Sequence, residues 1–203
     1  WLSAFDEIWV PDAEDHYLSG DLSENPGLKY ELLGIQSRFE KGEESSPEKE
    51  SYVLCILSGP EPQRSIFEKM IRQQSPQIKQ HVVIVGGKPH RPGRPFDCAN
   101  TTYFNHLDSS KLATYICHAE MVISRSGYSS LMDYQQLGCK KLFLIPSPGQ
   151  SEQIYLAHRM KKMNICDFAF QANFNLNEVT LNTNDFLGFP EKEISHSLLQ
   201  KTL

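Results

Sequence analysis

Long apolar runs are missing from this sequence of 203 residues, and so is an excess of basic charge. No apolar stretch approaches the roughly 20 residues that a membrane-spanning helix needs. The net charge of −5 disfavours a general nucleic-acid-binding protein. Asp6, Glu7 and Asp12 stand where a signal peptide would carry a basic segment. We therefore expect neither a membrane span nor a secretory leader within these residues.

Closely spaced metal-binding residues are also lacking. The five cysteines are odd in number and no two lie two to four residues apart, which argues against a zinc knuckle and a disulfide framework. Cysteine usage of this kind favours a reducing, cytoplasmic compartment, and Cys55 is expected to fill the core. The seven histidines show no His-Glu-x-x-His spacing, and no Asp-x-Asp pair occurs. Nothing in the sequence requires a metal or another cofactor, and we expect none.

The glycine-rich fingerprints of common nucleotide-binding proteins are absent too. The first buried strand pattern ends in Ser58-Gly59-Pro60, which is neither Gly-x-Gly-x-x-Gly nor the phosphate loop ending in Gly-Lys-Ser/Thr. A dinucleotide-binding enzyme and a P-loop ATPase are therefore disfavoured. No Gly-x-Ser-x-Gly elbow occurs, which disfavours a serine hydrolase of that type.

What is present is a regular alternation of apolar strands and amphipathic helices. It follows a charged linker at 40–50 that has nothing to bury. Strands are predicted at 52–57, 81–85, 102–104, 121–123 and 142–145, with helices around 66–71 and 112–116, up to Leu137, and over 151–163. This order predicts an α/β, Rossmann-like parallel sheet with helices on both faces.

The chain divides into three predicted parts. Residues 1–29 are the end of an N-terminal half and a connector, 30–170 form the Rossmann-like domain, and 171–203 are a C-terminal tail of undefined structure. Because ligands of open parallel sheets bind beyond the carboxyl ends of the strands, the loops that follow the strands are the candidate sites.

The loop and helix at 124–133, Ser-Arg-Ser-Gly-Tyr-Ser-Ser-Leu-Met-Asp, carry the strongest signal. The first-turn N–H groups at Tyr128, Ser129 and Ser130 have no intrahelical partner, so this helix start favours an anion such as a diphosphate. The simpler interpretation is that Ser126 is only an N-cap and Gly127 only completes the turn.

Two further features lie next to this helix start in a parallel sheet. Asp133, near the end of the second helical turn, has the chemistry to accept hydrogen bonds from a ribose diol, although a solvated helix charge is the simpler interpretation. The segment 146–153, Pro-Ser-Pro-Gly-Gln-Ser-Glu-Gln, opens the next helix and offers amides and a carboxylate to sugar hydroxyls. A capping box at Ser151 is the alternative there.

Three motifs together resemble the C-terminal half of glycosyltransferase family 28. They are the segment 124–133, Leu137-Gly138 and the Pro-x-Pro-Gly-Gln-x-Glu-Gln segment at 146–153. The family includes the bacterial N-acetylglucosaminyltransferase that makes the lipid-linked peptidoglycan precursor, and the resemblance covers about residues 30–165. It implies the GT-B architecture, with two Rossmann-like halves, of which the C-terminal one binds the nucleotide sugar.

The resemblance also implies roles for individual residues. Arg38 matches an arginine near the diphosphate, and Leu107 matches a position whose main chain reads uracil. Asp133 stands where the family commonly has a ribose-binding Glu. Glu152 and Gln153 match the pair that touches the donor sugar. The full set of implied substrate-binding residues is Arg38, Gly59, Leu107, Ser126, Gly127, Tyr128, Ser129, Ser130, Asp133, Gln150, Glu152 and Gln153.

The implied reaction is inverting and metal-independent, with a UDP-sugar, by expectation UDP-N-acetylglucosamine, as donor. The catalytic residues stay unknown, because the family's general base comes from the N-terminal half. The chain opens on Trp1 in mid-pattern, so we expect a donor-binding piece of a longer transferase that binds its donor but barely turns over alone. A lipid-linked sugar acceptor would place the cytoplasmic protein at the inner membrane face through the missing half.

Two other functions stay open from the sequence. The first is a non-catalytic nucleotide-sugar-binding subunit that needs a partner chain to supply the acceptor half. The second is a UDP-sugar 2-epimerase-like domain, which shares the architecture but needs acidic and histidine groups across the cleft. An unrelated Rossmann regulatory domain is the least specific interpretation.

Overall fold

The structure is a computed structural model, and it describes residues 4–24, 27–39, 51–89, 96–98, 100–181 and 186–190. The predicted linker at 40–50 and residues 182–185 and 191–203 of the predicted tail lie outside the described residues.

The described strands and helices follow the predicted alternation. The strands are β1 (Trp9–Val10), β2 (Glu31–Leu32), β3 (Tyr52–Ile56), β4 (His81–Val85), β5 (Phe96–Cys98), β6 (Thr101–Phe104), β7 (Met121–Ser124), β8 (Leu142–Leu144) and β9 (Asp167–Phe168). The α-helices are α1 (Gln63–Gln74), α2 (Ser109–His118), α3 (Tyr128–Gln136), α4 (Ser151–Lys162) and α5 (Leu176–Leu181).

The main sheet has the strand order β5-β6-β4-β3-β7-β8-β9. Strand β5 pairs antiparallel with β6, and all other pairs in this sheet are parallel. Counted from β3, the six parallel strands have the order 3-2-1-4-5-6 of a doubly wound fold, whose ligand site lies where the order reverses. The predicted Rossmann-like sheet is confirmed. Strands β5 and β9 and helix α5 were not predicted, because each has six residues or fewer and no clear period.

The central strand explains why its sequence is apolar without interruption. Tyr52, Leu54 and Ile56 point into a core shared with α2, α3 and α4, whereas Val53 and Cys55 point into a core shared with α1 and α5. A strand covered by helices on both faces has no solvent-facing side to fill with polar residues. The burial of Cys55 confirms that it fills the core.

The N-terminal segment packs beside the starts of α3 and α4. Its strands β1 and β2 pair with each other in parallel, outside the main sheet. The fully buried Asp12 carboxylate accepts the N–H groups of Leu18 (3.0 Å) and Ser19 (2.8 Å), which closes the loop after β1. From α4, the Arg159 guanidinium donates to the carbonyl oxygen of His16 (3.0 Å). These bonds place the loop after β1 next to the predicted diphosphate site.

Residues 174–181, assigned to the predicted tail, pack against α1. The Phe174 ring meets the Phe67 ring edge-on at 5.2 Å between centroids, and Leu176 and Val179 are buried in the same core. The Leu176 N–H also donates to the Gln74 side chain at 2.6 Å. The residues just after β9 therefore complete the core on the α1 face. None of the described helices has the length and apolar character that crossing a membrane requires.

Candidate functional site

A cleft opens at the carboxyl ends of β3 and β4, next to the point where the strand order reverses. It has a volume of about 270 Å³, and we call it the switch-point cleft. Five residues of the predicted donor site line it. They are Arg38, Gly59, Leu107, Ser130 and Asp133.

Close backbone packing shapes the floor of the switch-point cleft. Gly87 has φ +62°, and a Cβ atom there would lie 2.4 Å from the Leu57 carbonyl oxygen. Only glycine combines this conformation with this approach. The chain after β4 therefore lies directly against the end of β3, and Gly59 follows in the neighbouring loop.

Arg38 and Asp133 meet at the mouth of the cleft. The Arg38 Nε lies 3.1 Å from Asp133 Oδ2, with the arginine side chain 53% exposed and the aspartate side chain 11% exposed. The Arg38 N–H and the Ser37 hydroxyl both donate to Asp133 Oδ1, at 3.4 and 2.7 Å. Asp133, predicted to bind the ribose, and Arg38, predicted to bind the diphosphate, thus contact each other in the described structure.

Arg64 is a second cation on the cleft wall that the sequence reasoning missed. It lies in the first turn of α1 and donates to Glu61 Oε1 (2.7 Å) and to the Gly87 carbonyl oxygen (2.8 Å). Hydrogen bonds from Arg64 and Ser65 lower the pKa of Glu61 to about 2. A basic residue in the first turn of the helix that follows β3 was the available signal.

Helix α3 begins where the sequence predicts an anion site. Gly127 is its N-cap in an extended conformation (φ −71°, ψ 143°), and Leu131 N–H makes the first intrahelical bond back to Gly127. The N–H groups of Tyr128, Ser129 and Ser130 therefore stand at the helix start, where the helix dipole favours negative charge. The Tyr128 side chain turns elsewhere, and its hydroxyl donates to the Pro11 carbonyl oxygen at 2.6 Å.

Three other predicted residues hold the neighbouring loop. The buried Ser126 hydroxyl donates to the Gln153 carbonyl oxygen at 2.7 Å. The Gln153 side chain accepts the Ser147 N–H at 2.9 Å and donates to the Gln150 side-chain oxygen. These contacts tie the loop after β8 to the loop after β7.

Arg125 is fully buried at the end of β7, and no carboxylate of the described residues pairs with it. Its guanidinium donates to the carbonyl oxygens of Ile145 and Gln63, each at 3.1 Å, and to the Gln171 side-chain oxygen at 2.6 Å. It also lies over the Phe67 ring, 4.4 Å from the centroid. Burial lowers the pKa of Arg125 to about 10. Sequence reasoning assigned it no role, because its partners are mostly main-chain atoms far along the chain.

A second pocket, of about 510 Å³, is lined by the N-terminal segment and by residues of α3 and α4, and we call it the side pocket. Its walls include Trp9 and Leu22 from the N-terminal segment, with Tyr128, Glu152 and Tyr155 from the helices. Glu152 therefore lines the side pocket and not the switch-point cleft. Ser129 is exposed at the start of α3.

Comparison with known protein families gives a match over this domain. The glycosyltransferase family 28 C-terminal domain matches residues 53–199, which is more than half of the chain. A search of curated proteins gave no significant match.

Solved glycosyltransferases share the fold at low sequence identity. The glycotransferase of kitacinnamycin is 15% identical with a TM-score of 0.58, over 83% of this chain and 42% of that one. The spinosyn forosaminyltransferase SpnP is 11% identical with a TM-score of 0.58, over 89% and 46%. MurG of Acinetobacter baumannii is 12% identical with a TM-score of 0.53, over 89% and 51%. The chain thus spans about half the length of these structures or less.

The matched family domain, the sheet order and these structural neighbours support one assignment. The chain belongs to glycosyltransferase family 28 as its C-terminal domain, and it has the fold of one half of a GT-B glycosyltransferase.

Proposed function

We propose that this chain binds the UDP-sugar donor of an inverting, metal-independent glycosyltransferase. The observation that supports this most is the gathering of Arg38, Gly59, Leu107, Ser130 and Asp133 around the switch-point cleft. These residues come from four separate parts of the sequence, since Ser130 and Asp133 both lie on α3, and the family resemblance assigned each of them to the donor site. A cleft at the reversal of a doubly wound sheet is also where such folds bind nucleotides.

The cleft suits a nucleoside at one end and a diphosphate at the other. Buried apolar side chains, among them Leu107 and Leu112, form a wall that a planar base packs against. The start of α3 also borders the cleft, through Ser130. In this arrangement the diphosphate sits on the first-turn N–H groups of α3, and the sugar extends toward Glu152 in the side pocket.

The same geometry favours departure of the nucleoside diphosphate. Negative charge grows on the diphosphate as the bond to the anomeric carbon breaks, while an acceptor hydroxyl attacks from the opposite face. Dipoles and charges already oriented toward that position stabilise the transition state without reorganising. The α3 start and the guanidinium of Arg38, which has four N–H donors besides the Nε–H, serve this purpose. The general base is proposed to lie in an N-terminal half.

The test is calorimetric titration of the protein with UDP and UDP-N-acetylglucosamine, with GDP and ADP as controls for the base. A matched pair of variants isolates the helix start. Tyr128→Pro and Tyr128→Ala lose the same side chain, but only the proline also loses the N–H group. Proline is well tolerated at the first position of a helix, and the extended Gly127 before it suits proline.

We expect Tyr128→Pro to bind UDP at least about tenfold more weakly than Tyr128→Ala, since a hydrogen bond to a charged group contributes roughly 1.5–3 kcal/mol. The two variants should unfold at similar denaturant concentrations. Equal UDP affinities would show that this N–H group does not hold the diphosphate. The proposed function is rejected if the folded wild type binds none of these nucleotides and a chain that also contains the N-terminal half binds none either.

A further inference from the structure

The Asp133 carboxylate accepts hydrogen bonds from other residues of the same chain. Oδ1 accepts hydrogen bonds from the Ser37 hydroxyl (2.7 Å) and the Arg38 N–H (3.4 Å), and Oδ2 accepts the Arg38 Nε–H (3.1 Å). A carboxylate offers about four acceptor positions, so three are taken within the described chain. A residue that binds both hydroxyls of a ribose needs two free acceptor positions. Asp133 thus has room for at most about half of the expected contact.

The residues that Asp133 holds form a short strap, residues 37–39, along the cleft. The Ser37 hydroxyl accepts the Phe39 N–H at 3.1 Å while it donates to Asp133, which closes a local turn. Phe39 is buried in the core and lines the switch-point cleft, and the Arg38 guanidinium lies 4.9 Å from the centre of its ring. One carboxylate on α3 therefore holds Ser37 and Arg38, while core packing holds Phe39.

We infer that Asp133 is a positioning residue, which holds the strap so that Arg38 faces the donor's diphosphate, rather than the ligand of the ribose diol. The inference rests on the proposed function for the identity of the ligand. Its structural basis, three contacts from one carboxylate to the strap, does not depend on any ligand. It differs from the role that the family motif assigned to this position.

Ser37 separates the two roles, because it bonds to Asp133 but does not line the switch-point cleft. If Asp133 positions the strap, Ser37→Ala weakens UDP binding although no ligand atom contacts Ser37. We expect a loss of about threefold for Ser37→Ala and about tenfold for Asp133→Asn and for Arg38→Ala, in the range of charge-assisted hydrogen bonds. The double variant Arg38→Ala/Asp133→Asn should bind UDP no more weakly than Arg38→Ala.

A second probe is 2′,3′-dideoxy-UDP, which carries the diphosphate but no ribose diol. A positioning residue predicts that Asp133→Asn weakens UDP and dideoxy-UDP by the same factor. Loss of UDP affinity with unchanged dideoxy-UDP affinity, or full additivity with Arg38→Ala, would overturn the inference. Thermal unfolding of each variant confirms that it is folded before titration.

Hydrogen–deuterium exchange of the ligand-free protein tests the strap without any nucleotide. Asp133→Asn and Ser37→Ala should each raise the exchange rate of the amides in residues 37–39, by about tenfold or more for Asp133→Asn, as local opening becomes easier. Unchanged exchange in both variants would reject the positioning role. Failure of the wild type to bind UDP would reject the proposed function, and the exchange result would still decide the role of Asp133.

Discussion

The hydroxyl of Ser126 donates to the carbonyl oxygen of Gln153 at 2.7 Å, in a fully buried position. Both residues belong to the predicted donor site, yet here they bind each other and join the loops after β7 and β8. We expect Ser126→Ala to lower the free energy of unfolding by about 1 kcal/mol, the usual contribution of one hydrogen bond. UDP affinity should change by less than about twofold, because the hydroxyl proton already has a partner.

Ser129→Ala is the matched control on the same helix start. Ser129 is exposed, so its removal should leave the free energy of unfolding within about 0.5 kcal/mol of the wild type. Its hydroxyl stands beside the proposed diphosphate position, and we expect UDP affinity to fall by a few fold. Urea denaturation and calorimetry on both variants give the comparison. Weaker UDP binding by Ser126→Ala at unchanged stability would assign that hydroxyl to the ligand instead.

Gly87 and Gly34 provide a matched pair for the packing beneath the cleft. Both have positive φ, +62° and +77°, but a Cβ at Gly34 meets nothing within 4 Å, whereas one at Gly87 would lie 2.4 Å from the Leu57 carbonyl oxygen. Gly34→Ala should cost about 1 kcal/mol through backbone strain alone. Gly87→Ala should cost about 3 kcal/mol, because the clash with β3 adds to the strain. Equal urea unfolding midpoints for Gly34→Ala and Gly87→Ala would show that the chain after β4 shifts to accept the Cβ atom with no further loss of stability.

Much of this fold can be predicted from short-range patterns in the sequence. Strand β4 spans His81–Val85 as predicted, because a run of apolar residues bounded by Gly86-Gly87 fits a strand buried on both faces. The rule for parallel sheets then places the loops after the strands at one edge. Gly59 and Leu107 accordingly line one cleft, although they lie 48 positions apart in the chain.

The remaining features depend on contacts that no local pattern records. The Arg38–Asp133 pair joins positions 95 residues apart, and either residue alone resembles a solvated surface charge. Arg125 is buried against main-chain oxygens, and since every residue carries one, the residue types do not reveal these partners. Sequence reasoning therefore predicted residues that line one cleft, but it did not predict which of them bond to other parts of the chain.

Three buried thiols, Cys55, Cys139 and Cys166, make stability depend on alkaline pH, because burial raises the pKa of each. Burial raises the pKa of Cys55 and of Cys139, each to about 12. In the unfolded chain a thiol loses its proton near pH 9, whereas in the folded protein it keeps the proton up to about pH 12. The stabilisation is therefore fully present below pH 9 and is lost as pH rises from 9 toward 12. Each thiol should contribute a decline of about 1.4 kcal/mol per pH unit in that range.

The measurement is urea denaturation of the reduced protein between pH 8 and 10.5. We expect Cys55→Ala to be less stable than the wild type at pH 8, because the substitution leaves a small cavity in the core beneath α1. Its free energy of unfolding should nevertheless fall less steeply above pH 9, by about 1.4 kcal/mol per pH unit. Cys139→Ala, on the opposite face of the sheet, should flatten the slope by the same amount. An unchanged alkaline slope in both variants would mean that these thiols ionise in the folded protein as readily as in the unfolded chain.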